Sequence, residues 1–262
     1  MNTNNMLSEK RGPVGHIIFD NPARLNAVYG AMWVTVAEIL EDFQNDNDIR
    51  VVVVSGAGGR AFMSGRDITK LAEEGETPEA QELYNSRSNR AQKLLLNMPK
   101  PTIAMIRGYC IGGGISLGLK CDTRISSEKS SFAITASKLG VGYDYDGISR
   151  LVAHIGPSFA KELFYTARQF SAQEALDMKL INRLVPDNVL EEYVQKYAEN
   201  IAANAPLTMQ AVKQSVLEDL KDPDDRDVAL CDRLVDICNS SEDYTEGRRA
   251  FMEKRQPVFN GR

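Results

Sequence analysis

Arg107-Gly108-Tyr109-Cys110-Ile111-Gly112-Gly113-Gly114-Ile115-Ser116 is the stretch on which the fold of this chain turns. The apolar run Thr102–Ile106 before it reads as a strand, and Ile111–Leu119 reads as a helix opened by glycines. A helix that starts on glycines exposes backbone N–H groups with no intrahelical acceptor, and the positive end of its dipole attracts negative charge. Glycine also lets a ligand reach that backbone with no Cβ in the way. A second segment of the same kind, Arg60-Ala61-Phe62-Met63-Ser64-Gly65-Arg66-Asp67-Ile68, follows the strand predicted at Val51–Ser55. Either alone reads equally as a tight turn or a close helix–strand contact. Their occurrence as a pair carries the weight. Neither fits the dinucleotide fingerprint or the phosphate-loop pattern.

Working outward, Gly15–Asp20 is an apolar run stopped by Asn21-Pro22, the pattern of a strand ending in a turn. Met32, Val36, Ile39, Leu40 and Phe43 recur at helical spacing, and Asn45-Asp46-Asn47-Asp48 ends that helix. A helix is predicted over Thr77–Asn97 with Leu83, Ala91, Leu94 and Leu95 on its apolar side, broken by Pro99 and Pro101. Short strands follow at Asp122–Ser126 and Ser131–Ile134. Alternation of strand and helix predicts an α/β core with crossover connections. Beyond Asp146 the pattern becomes helical: Gly147–His154, Ser158–Ala167, Ala172–Asp177, Asn188–Ala203, Pro206–Leu220, Arg226–Asn239 and Ser241–Lys254. We divide the chain into a core, residues 1–200, and a helical C-terminal region, residues 201–262.

The chain has 262 residues, 43% hydrophobic and 26% charged, enough for a sizeable core. A net charge of -5 without a basic block gives no electrostatic footprint for nucleic acid. The apolar runs are too short to span a bilayer, and residues Met1 to Lys10 lack the apolar stretch of a secretory signal. Cys110, Cys121, Cys231 and Cys238 form no CxxC pair, so no metal site is expected and free thiols in a reducing, cytoplasmic setting are.

Taken together, the motifs resemble the crotonase superfamily, also called the enoyl-CoA hydratase/isomerase family. The likeness is carried by Asn21-Pro22-Ala23-Arg24-Leu25-Asn26-Ala27, by Ala61–Asp67, by Gly108–Gly114 and Cys121-Asp122, and later by Ala205-Pro206-Leu207 and the terminal Phe251, Glu253, Lys254, Arg255, Pro257 and Phe259. The resemblance implies a ββα spiral core with a helical C-terminal trimerisation region, assembled as a homotrimer or a dimer of trimers. It implies an acyl-CoA thioester as the partner, with coenzyme A entering as part of the substrate and no separate cofactor. Arg24, Leu25, Ala27, Ser64, Gly65, Arg66, Asp67, Ile68, Tyr109, Gly112 and Gly113 would hold it. The N–H groups of Arg66 and Gly113 would form an oxyanion hole, where each donor is worth about 3–4 kcal/mol.

The chain departs from the family's hydratases at both positions where a glutamate handles water: Ser116 and Ala136 stand there. General acid–base groups contribute about 10²–10⁴-fold each, so hydration by the usual route is not expected. The candidates left for chemistry are Ser116, Thr135, Tyr143 and Asp144. Asp144 resembles in placement an aspartate of dienoyl-CoA isomerases and haloaromatic acyl-CoA dehalogenases, whereas Thr135 and Tyr143 resemble residues of methylmalonyl-CoA decarboxylase. The segment holding Asp144 and Asp146 reads equally as a solvated turn. Tyr143 reads equally as wall packing, and Ser116 as a capping residue. The Arg66 side chain could grip a carboxylate or reach outward to a CoA phosphate. Isomerisation or unusual hydration, decarboxylation of a malonyl-type thioester and silent acyl-CoA binding all stay open.

Overall fold

The computed structural model describes residues 2–70 and 77–262. Its first sheet holds β1 (Asn2–Thr3), β2 (Met6–Arg11), β3 (Val14–Phe19), β4 (Val51–Gly56), β6 (Thr102–Ile106), β8 (Thr123–Ser127) and β11 (Arg183–Val185), in that spatial order. The second holds β10 (Phe170–Ser171), β9 (Ser131–Ala133), β7 (Tyr109–Ile111) and β5 (Ala61–Met63). From β3 to β11 the first sheet is parallel. Its central strand reads Val51-Val52-Val53-Val54, buried throughout, because a parallel sheet covered on both faces has no wet side to alternate with.

The chain visits the sheets in turn. It runs β4 then β5 then helix α2 (Pro78–Leu96), β6 then β7 then α3 (Gly113–Gly118), and β8 then β9 then α4 (Ala136–Leu139). Strand, strand, helix is thus the repeating turn of a ββα spiral. Helix α1 (Gly30–Asn45) buries Met32, Val36, Ile39, Leu40 and Phe43, the spacing read from sequence, and packs along α2. On α2 the buried stripe differs from expectation. It runs through half-buried Tyr84 and buried Ser88, Ala91 and Leu95, while Leu83 is exposed. Steps of four, three and four residues keep one helical face, and Leu83 lies off it.

The long helix α5 (Tyr145–Thr166) joins two predicted segments across a kink at Gly156, where Pro157 removes a backbone donor. Helices α6 (Ala172–Asp177) and α7 (Leu190–Ala202) follow. Leu190, Val194, Ala198 and Ala202 of α7 pack against Val14, Val51, Val53, Ile103 and Ile125 of the first sheet. That burial carries α7 past residue 200, since Ala202 still belongs to this core. Helices α8 (Pro206–Asp219), α9 (Val228–Ser240) and α10 (Glu242–Glu253) complete the chain. No helix among the described residues is long and apolar enough to cross a membrane.

Candidate active site

Two turns far apart in sequence meet because β5 and β7 are parallel neighbours, paired at Ala61–Tyr109 and Met63–Cys110. Their C-terminal ends lie side by side, so Ser64-Gly65-Arg66 and Gly112-Gly113 emerge together. A Cβ built on Gly65 would lie 3.8 Å from the Gly113 nitrogen, and one on Gly113 would lie 3.5 Å from the Gly65 Cα. Gly65 has φ +103°, a conformation open to glycine and strained for other residues. Gly114 is required for another reason: a Cβ there would sit 2.4 Å from the Met63 carbonyl oxygen, so α3 rests directly on the β5 backbone.

The hydrogen bonds fix how each peptide faces. Val28 N–H donates to the Gly65 carbonyl at 2.8 Å, and Asp67 N–H donates to the Val28 carbonyl at 2.9 Å, bracketing Arg66 in a one-residue bridge. In a trans peptide the C=O and N–H point opposite ways, so the Arg66 N–H is turned away from Val28. The Gly112 carbonyl accepts from the Ile115 and Ser116 N–H groups, at 3.0 and 3.2 Å, which directs it along α3. The Gly113 N–H therefore points out of the helix start, and Gly113 is exposed. Asp67, buried, caps the turn that follows: its Oδ1 accepts from the Thr69 N–H and hydroxyl at 2.9 and 2.6 Å. Burial pushes the Asp67 carboxyl up, but the Thr69 hydroxyl and the Lys70 and Thr69 N–H groups outweigh it and hold the group below the usual carboxylate range.

The loop Arg24–Ala27 joins this assembly through the Ser64 hydroxyl, which donates to the Arg24 carbonyl at 3.3 Å. Asn26, fully buried, knots the loop to β5: its Nδ2 donates to the Ala61 and Ala57 carbonyls, and its Oδ1 accepts from Asn21 N–H. Arg24, Leu25, Ala27, Ser64, Gly65, Arg66, Asp67 and Ile68 thus form one connected region. Tyr109, Gly112 and Gly113 lie beside it on β7 and its turn.

The side chains proposed for chemistry separate into two groups. Tyr143 stands at the turn, its hydroxyl 3.7 Å from where a Gly112 Cβ would be, and its ring meets Phe164 edge-on at 4.9 Å. Burial raises its pKa; the nearby Ser116 side chain opposes that and the Asp144 charge adds to it. Ser116 lies in α3 facing the same phenol, and Thr135 precedes α4 without capping it through its side chain. Asp144 is exposed and N-caps α5, its Oδ1 accepting from Gly147 N–H at 2.7 Å. Asp146 pairs with Lys120 at 3.0 Å and Arg150 at 3.6 Å. Ala136 is buried at the start of α4. The Arg66 side chain folds onto α2. Its guanidinium lies 3.8 Å above the Tyr84 ring centroid and donates to Gln81. Val28, Gln81 and Tyr84 had no signal of their own in the sequence, since each acts through a contact between distant segments.

Residues 9–262 match the family model described as enoyl-CoA hydratase/isomerase. The chain belongs to the enoyl-CoA hydratase/isomerase family. It is 35% identical over 260 residues to a carnitinyl-CoA dehydratase of Proteus mirabilis, covering 96% of this chain and 97% of that one. It is 30% identical over 256 residues to a short-chain-enoyl-CoA hydratase of Clostridium acetobutylicum, covering 98% and 97%. The fold agrees with the crystal structure of an enoyl-CoA hydratase/carnithine racemase from Magnetospirillum magneticum, with a TM-score of 0.91, 31% identity and coverage of 100% and 97%. As a member of the enoyl-CoA hydratase/isomerase family the chain is an enzyme, and its crotonase-type fold matches that structure over its whole length.

Proposed function

We propose that this enzyme binds an acyl-CoA thioester and holds the thioester oxygen between the Arg66 and Gly113 N–H groups, stabilising an enolate. One observation carries the reading: two peptides on adjacent turns, Gly65–Arg66 and Gly112–Gly113, each have their carbonyl drawn away by a hydrogen bond. Their N–H groups are thereby pre-aimed, and such donors act without reorganising as charge develops. Relatives named for enoyl-CoA and carnitinyl-CoA substrates support a CoA thioester. The region around Arg24–Ala27 and Ser64–Ile68 takes the CoA moiety, and the assembly is a homotrimer or a dimer of trimers.

Proton handling falls to Tyr143. Its phenol stays protonated at neutral pH and stands at the donor turn, whereas the Asp144 and Asp146 carboxylates are committed to a helix cap and to ion pairs. In isomerisation a solvent water takes the substrate proton as the enolate forms, and Tyr143, with Ser116 alongside, delivers its proton to the other enolate carbon and regains one from that water. The same arrangement favours a second reading. In a malonyl-type thioester, the electron pair of the breaking C–C bond flows into the thioester carbonyl as CO₂ leaves, giving the same enolate without a carboxylate base. Tyr143 then returns a proton to the enolate carbon.

The test is exchange of α-protons of butyryl-CoA for deuterium in heavy water, read by mass spectrometry, alongside CO₂ release from methylmalonyl-CoA. Gly113→Pro deletes one donor at the first helical position, where proline is well accepted. It should lower exchange about 10²–10³-fold. Gly113→Ala keeps the N–H and should retain the activity, since its Cβ meets the Gly65 Cα at an ordinary 3.5 Å. Full turnover by folded Gly113→Pro would remove the two-donor site.

A further inference from the structure

The Val28 bridge holds the Gly65–Arg66 peptide from one side. What holds it from the other is the Arg66 side chain. The guanidinium lies flat over Tyr84, 3.8 Å from the ring centroid, and its Nη1 donates to Gln81 Oε1. Gln81 and Tyr84 are three residues apart on α2 and so share a face. The Tyr84 ring is itself fixed, because its hydroxyl accepts from Trp33 Nε1 at 3.1 Å. Trp33 is buried in α1 and meets the fully buried Phe19 of β3 edge-on, with ring centroids 6.1 Å apart. A line of contacts therefore runs from the central core through Trp33, Tyr84 and the Arg66 side chain to the backbone atom that faces the Gly113 turn.

We infer that the Arg66 side chain anchors the oxyanion donor carried by its own backbone, and that Tyr84 is a positioning residue for that donor. This rests on the two-donor reading above. A guanidinium serving a CoA phosphate would extend into solvent, where its charge would govern substrate affinity and weaken with salt. This one is laid on an aromatic ring and an amide of the protein, the planar stacking that arginine favours and lysine does not reproduce. A flat cation over a ring also restricts rotation of its own Cα, and through it the neighbouring peptide. Loosening the anchor leaves the thioester's binding surface in place and lets the N–H wander. Misplacement of about 1 Å costs on the order of 10²-fold in rate, so the effect belongs to enolate formation and not to affinity.

The experiment uses acetoacetyl-CoA, whose enolate absorbs in the near ultraviolet, and deuterium exchange of butyryl-CoA. Dissociation constants are measured alongside at two salt concentrations. Tyr84→Phe keeps the ring face but frees it from Trp33, so exchange and the enolate band should fall between native and Tyr84→Leu. Tyr84→Leu removes it and should lower both by about 10-fold or more, within the range a misplaced donor spans, with the dissociation constant and its salt dependence little changed. Arg66→Lys should behave like Tyr84→Leu. Native-like exchange in folded Tyr84→Leu overturns the inference, as does weakened binding with undiminished exchange in Arg66→Lys. If Tyr84→Leu fails to fold, Gln81→Ala decides, because Gln81 is exposed. A clear fall in exchange at constant affinity supports the anchor, and an unchanged rate overturns it. Native protein that yields neither exchange nor the enolate band overturns the two-donor reading itself and this inference with it. Native activity indifferent to these side chains overturns the anchor alone.

Discussion

Tyr143 is the single side chain on which the proposed proton transfer rests. Ser116 in α3 and Ala136 at the start of α4 offer no acid, and the half-buried phenol of Tyr143 faces the Gly112 turn. Burial is the largest cause of its raised pKa, with Ser116 opposing and Asp144 adding. The folded phenol therefore keeps its proton above the ordinary tyrosine value of about 10, where the unfolded chain begins to lose it. Its contribution to stability is whole below that pH and declines as pH rises towards the folded value. Exchange of butyryl-CoA α-protons should accordingly stay level through pH 10 on the alkaline side. Tyr143→Phe should lower it about 10²-fold, the lower end of what a positioned acid supplies. A native profile that breaks at pH 9, or a fully active Tyr143→Phe, would take the proton away from this residue.

Among the elements, the contact of α3 with β5 sets the spacing of the two turns that carry the proposed donors. Gly114→Ala places a Cβ 2.4 Å from the Met63 carbonyl oxygen, so helix and strand must part. Overpacking of this kind costs about 1–3 kcal/mol. The melting temperature should fall by several degrees, and exchange should fall more than in Gly113→Ala, whose Cβ makes an ordinary contact. Calorimetry and the exchange assay on the pair check this, and equal behaviour of the two variants would show that the contact does not set the site. The same contrast explains what could be read beforehand. Gly112-Gly113-Gly114 was legible because glycine marks close backbone approach, and the helices because a 3.6-residue period survives in a single sequence. Strands β5 and β7, at three residues each, are too short to show alternation. Leu83 was placed inside and Tyr84 passed over, because only the contact with Trp33 and Arg66 shows which face of α2 turns inward. Nothing local marks the Val28–Arg66 bridge, which depends on two loops meeting in space. Asn26 stood within a quoted motif, yet its knot to Ala57 and Ala61 became visible only with β5 in place.

At the scale of the molecule, the spiral core and the C-terminal helices are packed differently. The core seals Phe19, Phe43, Phe62, Phe132 and Phe170 completely, whereas α8, α9 and α10 leave Val212, Val216, Leu220, Val235, Phe251 and Met252 exposed. Val212, Val216, Leu220 and Val235 line one cleft between α8 and α9, and Phe251 lines another beside Tyr244. Scattered apolar side chains need no explanation, but a contiguous face of valine and leucine loses free energy in water at about 25 cal/mol per Å². Burial between copies recovers it. The homotrimer or dimer of trimers proposed above places this face at an interface, where a charge is costly to desolvate. Val216→Glu with Leu220→Glu, like charges one turn apart that cannot pair with each other, should therefore leave the helical circular dichroism of the core intact and shift the sedimenting species towards monomer. Native protein sedimenting as a monomer at micromolar concentration would refute the assembly directly. A double variant that stays trimeric would place the interface elsewhere on the surface and leave these helices as an outer face, because two like charges one turn apart, buried among valines, would repel each other.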